Sequence, residues 1–191
     1  AVTKTLQFMT GIYVLPLRHP IEVAKNVATL CKLSGDRFAL GFGAGWLKEE
    51  FDQLGVDFSR RGRRTDEMID VMRQLWSGKE VRYRGEFFDM ERVKIRPIPD
   101  SNVPLIGGGH SPAALRRAVD QCDGWYGPGN TLAELEQFLP ELQAMRAQSK
   151  RAQQPFSVIA PLTEALAPNV VARLEALGVT GTVSYPFLFG I

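Results

Sequence analysis

Apolar residues along this chain follow two alternating rhythms. Short runs dense in β-branched and aromatic residues read as strands: Leu6 to Leu17, Arg37 to Phe42, Val103 to Ile106, Cys122 to Tyr126, Phe156 to Ala160 and Val179 to Tyr185. Between them apolar positions recur at helical spacing. Ile21, Ala24, Val27, Ala28 and Cys31 form one such face, and Met68, Ile69, Met72, Leu75 and Trp76 form a second. Leu135, Phe138, Leu142 and Met145 form a third, and Val170 to Leu177 ends at Gly178. Helix starts are marked as well. Pro20 suits a first helical position, Thr65 reads as a cap with Asp66 and Glu67 behind it, and Thr131 with Glu134 reads as a capping box. Pro140 falls inside its helix and predicts a kink.

One stretch breaks the rhythm. Val81 and Tyr83, then Phe87 and Phe88, flank Arg84-Gly85-Glu86, which predicts a β-hairpin inserted over 80–96. Outside it, strand and helix alternate strictly. That order implies a parallel sheet, either an open doubly wound sheet or part of a barrel.

Two strands run straight into glycine-rich loops: Leu40-Gly41-Phe42-Gly43-Ala44-Gly45-Trp46, and Ile106-Gly107-Gly108-Gly109-His110-Ser111-Pro112. Glycine lets a ligand or another backbone come close. The second loop opens a helix that Ser111 can cap, and amides at a helix start face an anion. Gly11 inside the first strand predicts a bulge or a close backbone approach. The dinucleotide fingerprint is absent: the first loop lacks its third glycine at the required spacing, and no acidic residue follows at the expected distance.

Bulk properties narrow the function classes. The chain has 191 residues, a formal net charge of +2, 45% hydrophobic content and 23% charged residues. These suit one globular domain over 1–191 and give no electrostatic footprint for nucleic acid. No apolar run approaches the roughly 20 residues of a membrane span, and no signal segment opens the chain. Cys31 and Cys122 lack metal-type spacing and read as buried free thiols of a cytoplasmic protein. No metal site is expected from the two histidines, His19 and His110.

In order along the chain stand Thr10-Gly11-Ile12-Tyr13-Val14-Leu15, Arg18-His19-Pro20, Leu33-Ser34-Gly35-Asp36-Arg37-Phe38 and Gly41-Phe42-Gly43-Ala44-Gly45-Trp46. Glu49-Glu50-Phe51, Arg64-Thr65-Asp66-Glu67, Tyr83-Arg84-Gly85-Glu86-Phe87-Phe88, Ile106-Gly107-Gly108, Ser111-Pro112-Ala113-Ala114-Leu115-Arg116-Arg117-Ala118 and Asp123-Gly124-Trp125 follow. With these motifs the chain resembles the bacterial luciferase-like monooxygenase superfamily, in particular its deazaflavin (coenzyme F-420)-dependent oxidoreductase branch.

The resemblance implies an α/β fold, a TIM-like (β/α) barrel with about six of eight strand–helix units present, and a chain that looks cut at both ends. It implies an oxidoreductase or monooxygenase that transfers a hydride through coenzyme F-420 or, alternatively, FMN, acting on a small-molecule substrate. It further implies Gly11 and Ile12, joined by a non-proline cis peptide, beneath the cofactor ring, with Gly43 and Gly45 beside it. Gly108, Gly109, His110 and Ser111 would hold the cofactor phosphate. His19 and Glu49 are the candidate catalytic groups. Each has a plainer reading, His19 as a loop-bonding histidine and Glu49 as a solvated helix carboxylate. Trp46 and Trp125 read equally as pocket wall or core, and Arg60 to Arg64 as a solvated or salt-bridged surface. An incomplete barrel leaves sheet edges open, which predicts a homodimer or higher oligomer. The alternative function is a non-catalytic flavin-binding remnant.

Overall fold

A computed structural model of the chain describes residues 2–183. They divide into two compact units, Ala1–Leu105 and Ile106–Ile191.

The first unit is organised on one buried strand. β1 (Phe8–Met9) and β2 (Tyr13–Val14) both lie parallel to β3 (Phe38–Gly43). Met9 faces Ala39 and Tyr13 faces Phe42, so four steps on one strand oppose three on the other. One extra residue in that register is a bulge, as Gly11 predicts. The Gly11–Ile12 peptide bond is cis. α1 (Pro20–Ser34) buries Val23, Ala24, Val27, Ala28 and Cys31 and stops at Gly35, whose φ is +67°. Burial and the nearby Asp36 carboxylate push the Cys31 thiol up to about 11.

α2 (Lys48–Gln53) is short, and α3 (Arg61–Trp76) packs against α1, with Trp76 Nε1 donating to the Ala24 carbonyl at 2.9 Å. α3 begins at Arg61, one turn earlier than the Thr65 cap predicts. Thr65 is fully buried, and its hydroxyl donates to the Arg61 carbonyl at 2.8 Å, a bond made inside the helix. β4 (Val81–Arg84) and β5 (Asp89–Val93) form the predicted antiparallel hairpin. Leu40 N–H donates to Pro104 O at 2.9 Å, tying the centre of β3 to the last residues of this unit.

In the second unit, β6 (Leu105–Gly108), β7 (Gly124–Tyr126) and β8 (Ser157–Ile159) pair in parallel. They alternate with α4 (Pro112–Gln121), α5 (Leu132–Gln148) and α6 (Pro168–Ala176). Of the strand expected over Val179 to Tyr185, the described residues 179–183 form only an isolated parallel bridge, Gly181 to Ile159, and Ser184 and Tyr185 lie outside the described residues. Trp125, Leu115, Leu135, Leu139, Leu142 and Val158 fill the core between these layers.

The capping box at Thr131 and Glu134 is complete. α5 runs on through exposed Pro140, a residue that costs a helix interior about 3 kcal/mol. Leu139 and Leu142, on either side of it, are both fully buried, and burial at about 1.5–3 kcal/mol each is enough to hold the helix together.

Candidate cofactor-binding site

At the carboxyl end of β3 the glycines are required by the chain itself. A Cβ on Gly41 would lie 2.0 Å from the Thr10 carbonyl oxygen, and the Thr10 hydroxyl donates to the Gly41 carbonyl at 2.7 Å. A Cβ on Gly43 would meet Ile12 Cδ1 at 2.8 Å. One on Gly45, at φ +82°, would meet the Phe51 ring and Val14 Cγ1 at 2.8 Å. The bulged strand therefore presses directly onto β3, with Ile12 against Gly43 and Val14 against Gly45, while Gly11 is exposed. Ile12 is 39% exposed there, and Trp46, beyond the end of β3, is 82% exposed. Core packing of Trp46, one of its two readings from sequence, is excluded within this unit.

His19 and Glu49 both lie exposed at helix starts of the first unit. His19 precedes α1 as its N-cap, its Nδ1 accepting from Ile21 N–H at 3.3 Å and its ring lying edge-on to Phe88 at 5.6 Å. Glu49 is exposed in the first turn of α2, where a carboxylate favours the helix dipole.

The arginine knot is tied into the fold. Arg60 pairs with Glu86 and lies 4.5 Å over the Phe87 ring, and Arg63 reaches the same carboxylate at 3.2 Å. Arg61 donates to the Gly45 carbonyl at 3.0 Å and to the Phe58 carbonyl at 2.9 Å. Arg64 donates to the Pro16 carbonyl at 2.9 Å and sits 4.5 Å over Phe88, and its burial lowers its pKa. Glu67 completes the bracket. Its carboxylate accepts from the backbone N–H groups of Glu86, Phe87 and Phe88 at 2.8–3.1 Å, fixing the hairpin turn. A basic run beside an acidic residue is visible in the sequence. Which carbonyl or amide each side chain grips depends on contacts up to 48 residues apart.

In the second unit, β6 ends in a turn of another kind. Gly109 has φ +109°, backbone that favours glycine. Its N–H donates to the Tyr126 carbonyl at 3.3 Å, and its own carbonyl accepts from Trp125 Nε1 at 2.7 Å. Trp125 is thus a core residue whose indole nitrogen locks this turn. Ser111 caps α4, its hydroxyl accepting from Ala114 N–H at 3.3 Å.

Among the described residues nothing accepts from the N–H groups of His110, Ser111 or Ala113. His110 and Ser111 are exposed, and the first turn of α4 carries no acidic residue. Of Gly108–Ser111, Gly108 belongs to β6 and the Gly109 N–H is used internally, while His110 and Ser111 keep open N–H groups beside that of Ala113. Amides at the positive end of a ten-residue helix fit a phosphate.

Elsewhere in this unit a shallow groove of about 310 Å³ runs along the outer helices, lined by Arg116, Val119, Asp120, Met145, Gln148 and Ser149. Among the described residues no group of three or more His, Cys, Asp or Glu side chains is placed to hold a metal ion, and no helix is long and apolar enough to cross a membrane.

Comparison with known proteins bears on this geometry. The family model described as luciferase-like monooxygenase matches residues 1–186, running through both units. An uncharacterised protein of Mycobacterium bovis is 36% identical over 183 residues, covering 96% of this chain and 63% of that relative. An FMNH(2)-dependent dimethylsulfone monooxygenase of Pseudomonas fluorescens is 28% identical over 150 residues, covering 77% of this chain and 41% of that relative. Among solved structures, an F-420-dependent secondary alcohol dehydrogenase in complex with an F-420–acetone adduct matches with a TM-score of 0.71 and 25% identity, over 84% of this chain and 51% of that one. The chain therefore spans less than two thirds of the length of these proteins.

Proposed function

The chain belongs to the luciferase-like monooxygenase family, and on that premise we propose that it binds a phosphate-bearing flavin-type cofactor, coenzyme F-420 or FMN, for an oxidoreductase or monooxygenase reaction on a small-molecule substrate. The observation that carries this reading is the set of amides at His110, Ser111 and Ala113, presented by the Gly109 turn. They would hold the phosphate, which needs donors and no counter-charged side chain. In the first unit, taken by itself, Gly11, Ile12, Gly43 and Gly45 are the proposed ring contacts, with Gly43 packed against Ile12. When bound, the cofactor supplies the redox chemistry itself. The residues of this chain are then left with binding, orientation and exclusion of water, which agrees with His19 serving as a cap and Glu49 standing in solvent. The relatives' cofactors, FMNH(2) in one and F-420 in another, support both choices.

Fluorescence titration with F-420, FMN and riboflavin tests the reading. FMN is expected to bind about tenfold tighter than riboflavin, which has the same ring and no phosphate. Equal affinities would remove the phosphate cradle. Absence of binding by both FMN and F-420 would remove the cofactor reading altogether.

A further inference from the structure

Two arginines one turn apart on α3, Arg61 and Arg64, make the same pair of contacts. Each lays its guanidinium on an aromatic face and grips a backbone carbonyl of a loop that follows a strand. Arg61 is the tighter of the two. Its guanidinium carbon lies 3.7 Å from the Phe58 ring centroid, Nε donates to Gly45 O at 3.0 Å and Nη1 donates to Phe58 O at 2.9 Å. Phe58 in turn stands edge-on to Phe51 at 5.1 Å, and Phe51 is the ring that fills the space beside the α-carbon of Gly45. The Gly45 turn is thus held by its carbonyl on one side and by packing on the other. The next residue is Trp46, whose indole is 82% exposed. An indole left in water costs the fold apolar burial, and here the backbone that carries it is clamped.

We infer that Arg61 is a positioning residue: it fixes the Gly45 turn so that Trp46 stands at the end of β3 as a preformed aromatic face for a planar ligand ring. This rests on the cofactor reading for the identity of the ring. The clamp itself stands on the ligand-free geometry. Lysine cannot replace Arg61, because it lacks both the planar face that stacks on Phe58 and the fork that reaches two carbonyls at once.

The test uses Arg61→Lys and Arg61→Ala, read by limited proteolysis within residues 44–48 and by acrylamide quenching of tryptophan fluorescence. Trp125 is fully buried and Trp76 is half-buried with its nitrogen bonded, so the quenchable signal reports Trp46. Both variants are expected to be cut about tenfold faster within that segment while the rest of the first unit stays resistant, and Arg61→Lys is expected not to rescue. The steady quenching of Trp46 should change in the same variants, and FMN affinity should fall with it. Segment cleavage and quenching equal to those of the original chain would overturn the proposal, as would cleavage that rises uniformly through residues 1–105. If Arg61→Ala does not fold, Arg61→Lys carries the test. Loss of fold in both means that Arg61 acts on the whole unit, and the positioning role is overturned. If the unaltered chain binds neither FMN nor F-420, the cofactor reading fails, and the cleavage result still decides the clamp.

Discussion

The two glycine-rich strand ends look alike in sequence and work in opposite ways. At Gly41, Gly43 and Gly45 the missing side chains make room for the chain's own Thr10, Ile12, Val14 and Phe51, and Arg61 takes up the turn's carbonyl. At Gly109 only the Ala114 methyl approaches, at 3.1 Å from where a Cβ would lie, and the residue is needed for its φ of +109°. The first loop is closed by packing. The second is held by Trp125 and Tyr126 yet leaves three amides facing outward. Glycine in the first case is about space, and in the second about backbone direction. The second also opens a ten-residue helix, whose first amides favour an anion.

That contrast can be broken by substitution. The largest effect is expected for Gly41→Ala. Its Cβ would sit 2.0 Å from the Thr10 carbonyl, an atom of the backbone that has no rotamer to change. A loss of about 3 kcal/mol or more in urea denaturation is expected, since overpacking against backbone has to be relieved by moving a strand. A loss below about 1 kcal/mol would mean that β1 and β3 are not tightly packed here.

Gly109→Ala comes next. Strain at its φ predicts a loss of about 1–2 kcal/mol together with the preference for FMN over riboflavin, because the amides of His110 and Ser111 would turn away. A retained preference would place the anion site elsewhere.

Ser111→Ala is the smallest. Loss of the cap to Ala114 N–H predicts about 1 kcal/mol in stability. The FMN preference should survive, because the donor proposed is the backbone N–H and the side chain is not needed for it. Loss of that preference would instead make the hydroxyl the ligand.

Much of this arrangement could be read from the residue order, for identifiable reasons. The bulge at Gly11, the α1 stop at Gly35, the hairpin around Gly85, the Ser111 cap and the Thr131–Glu134 capping box are all local devices. Each is set by residues within a few positions of one another. The start of α3 was misplaced for the same reason. Thr65 is a good cap by type, but its burial against the core lets the helix extend back to Arg61. The role of Glu67 was not legible either. Three amides of a turn about 20 residues further on are its partners, and nothing in their spacing marks them as a carboxylate's ligands.

Local chemistry in the chain fixed where strands and helices alternate, where the glycine turns fall and which helix start could present amides to an anion, because periodicity, caps and φ preferences act over a handful of residues. Tertiary structure alone decided which glycines serve packing and which stay open, that Trp46 is exposed while Trp125 is buried, and that the arginines grip carbonyls of the strand-end loops. Those outcomes depend on what stands opposite each residue after the chain has folded, and proximity of that kind is not written in sequence spacing.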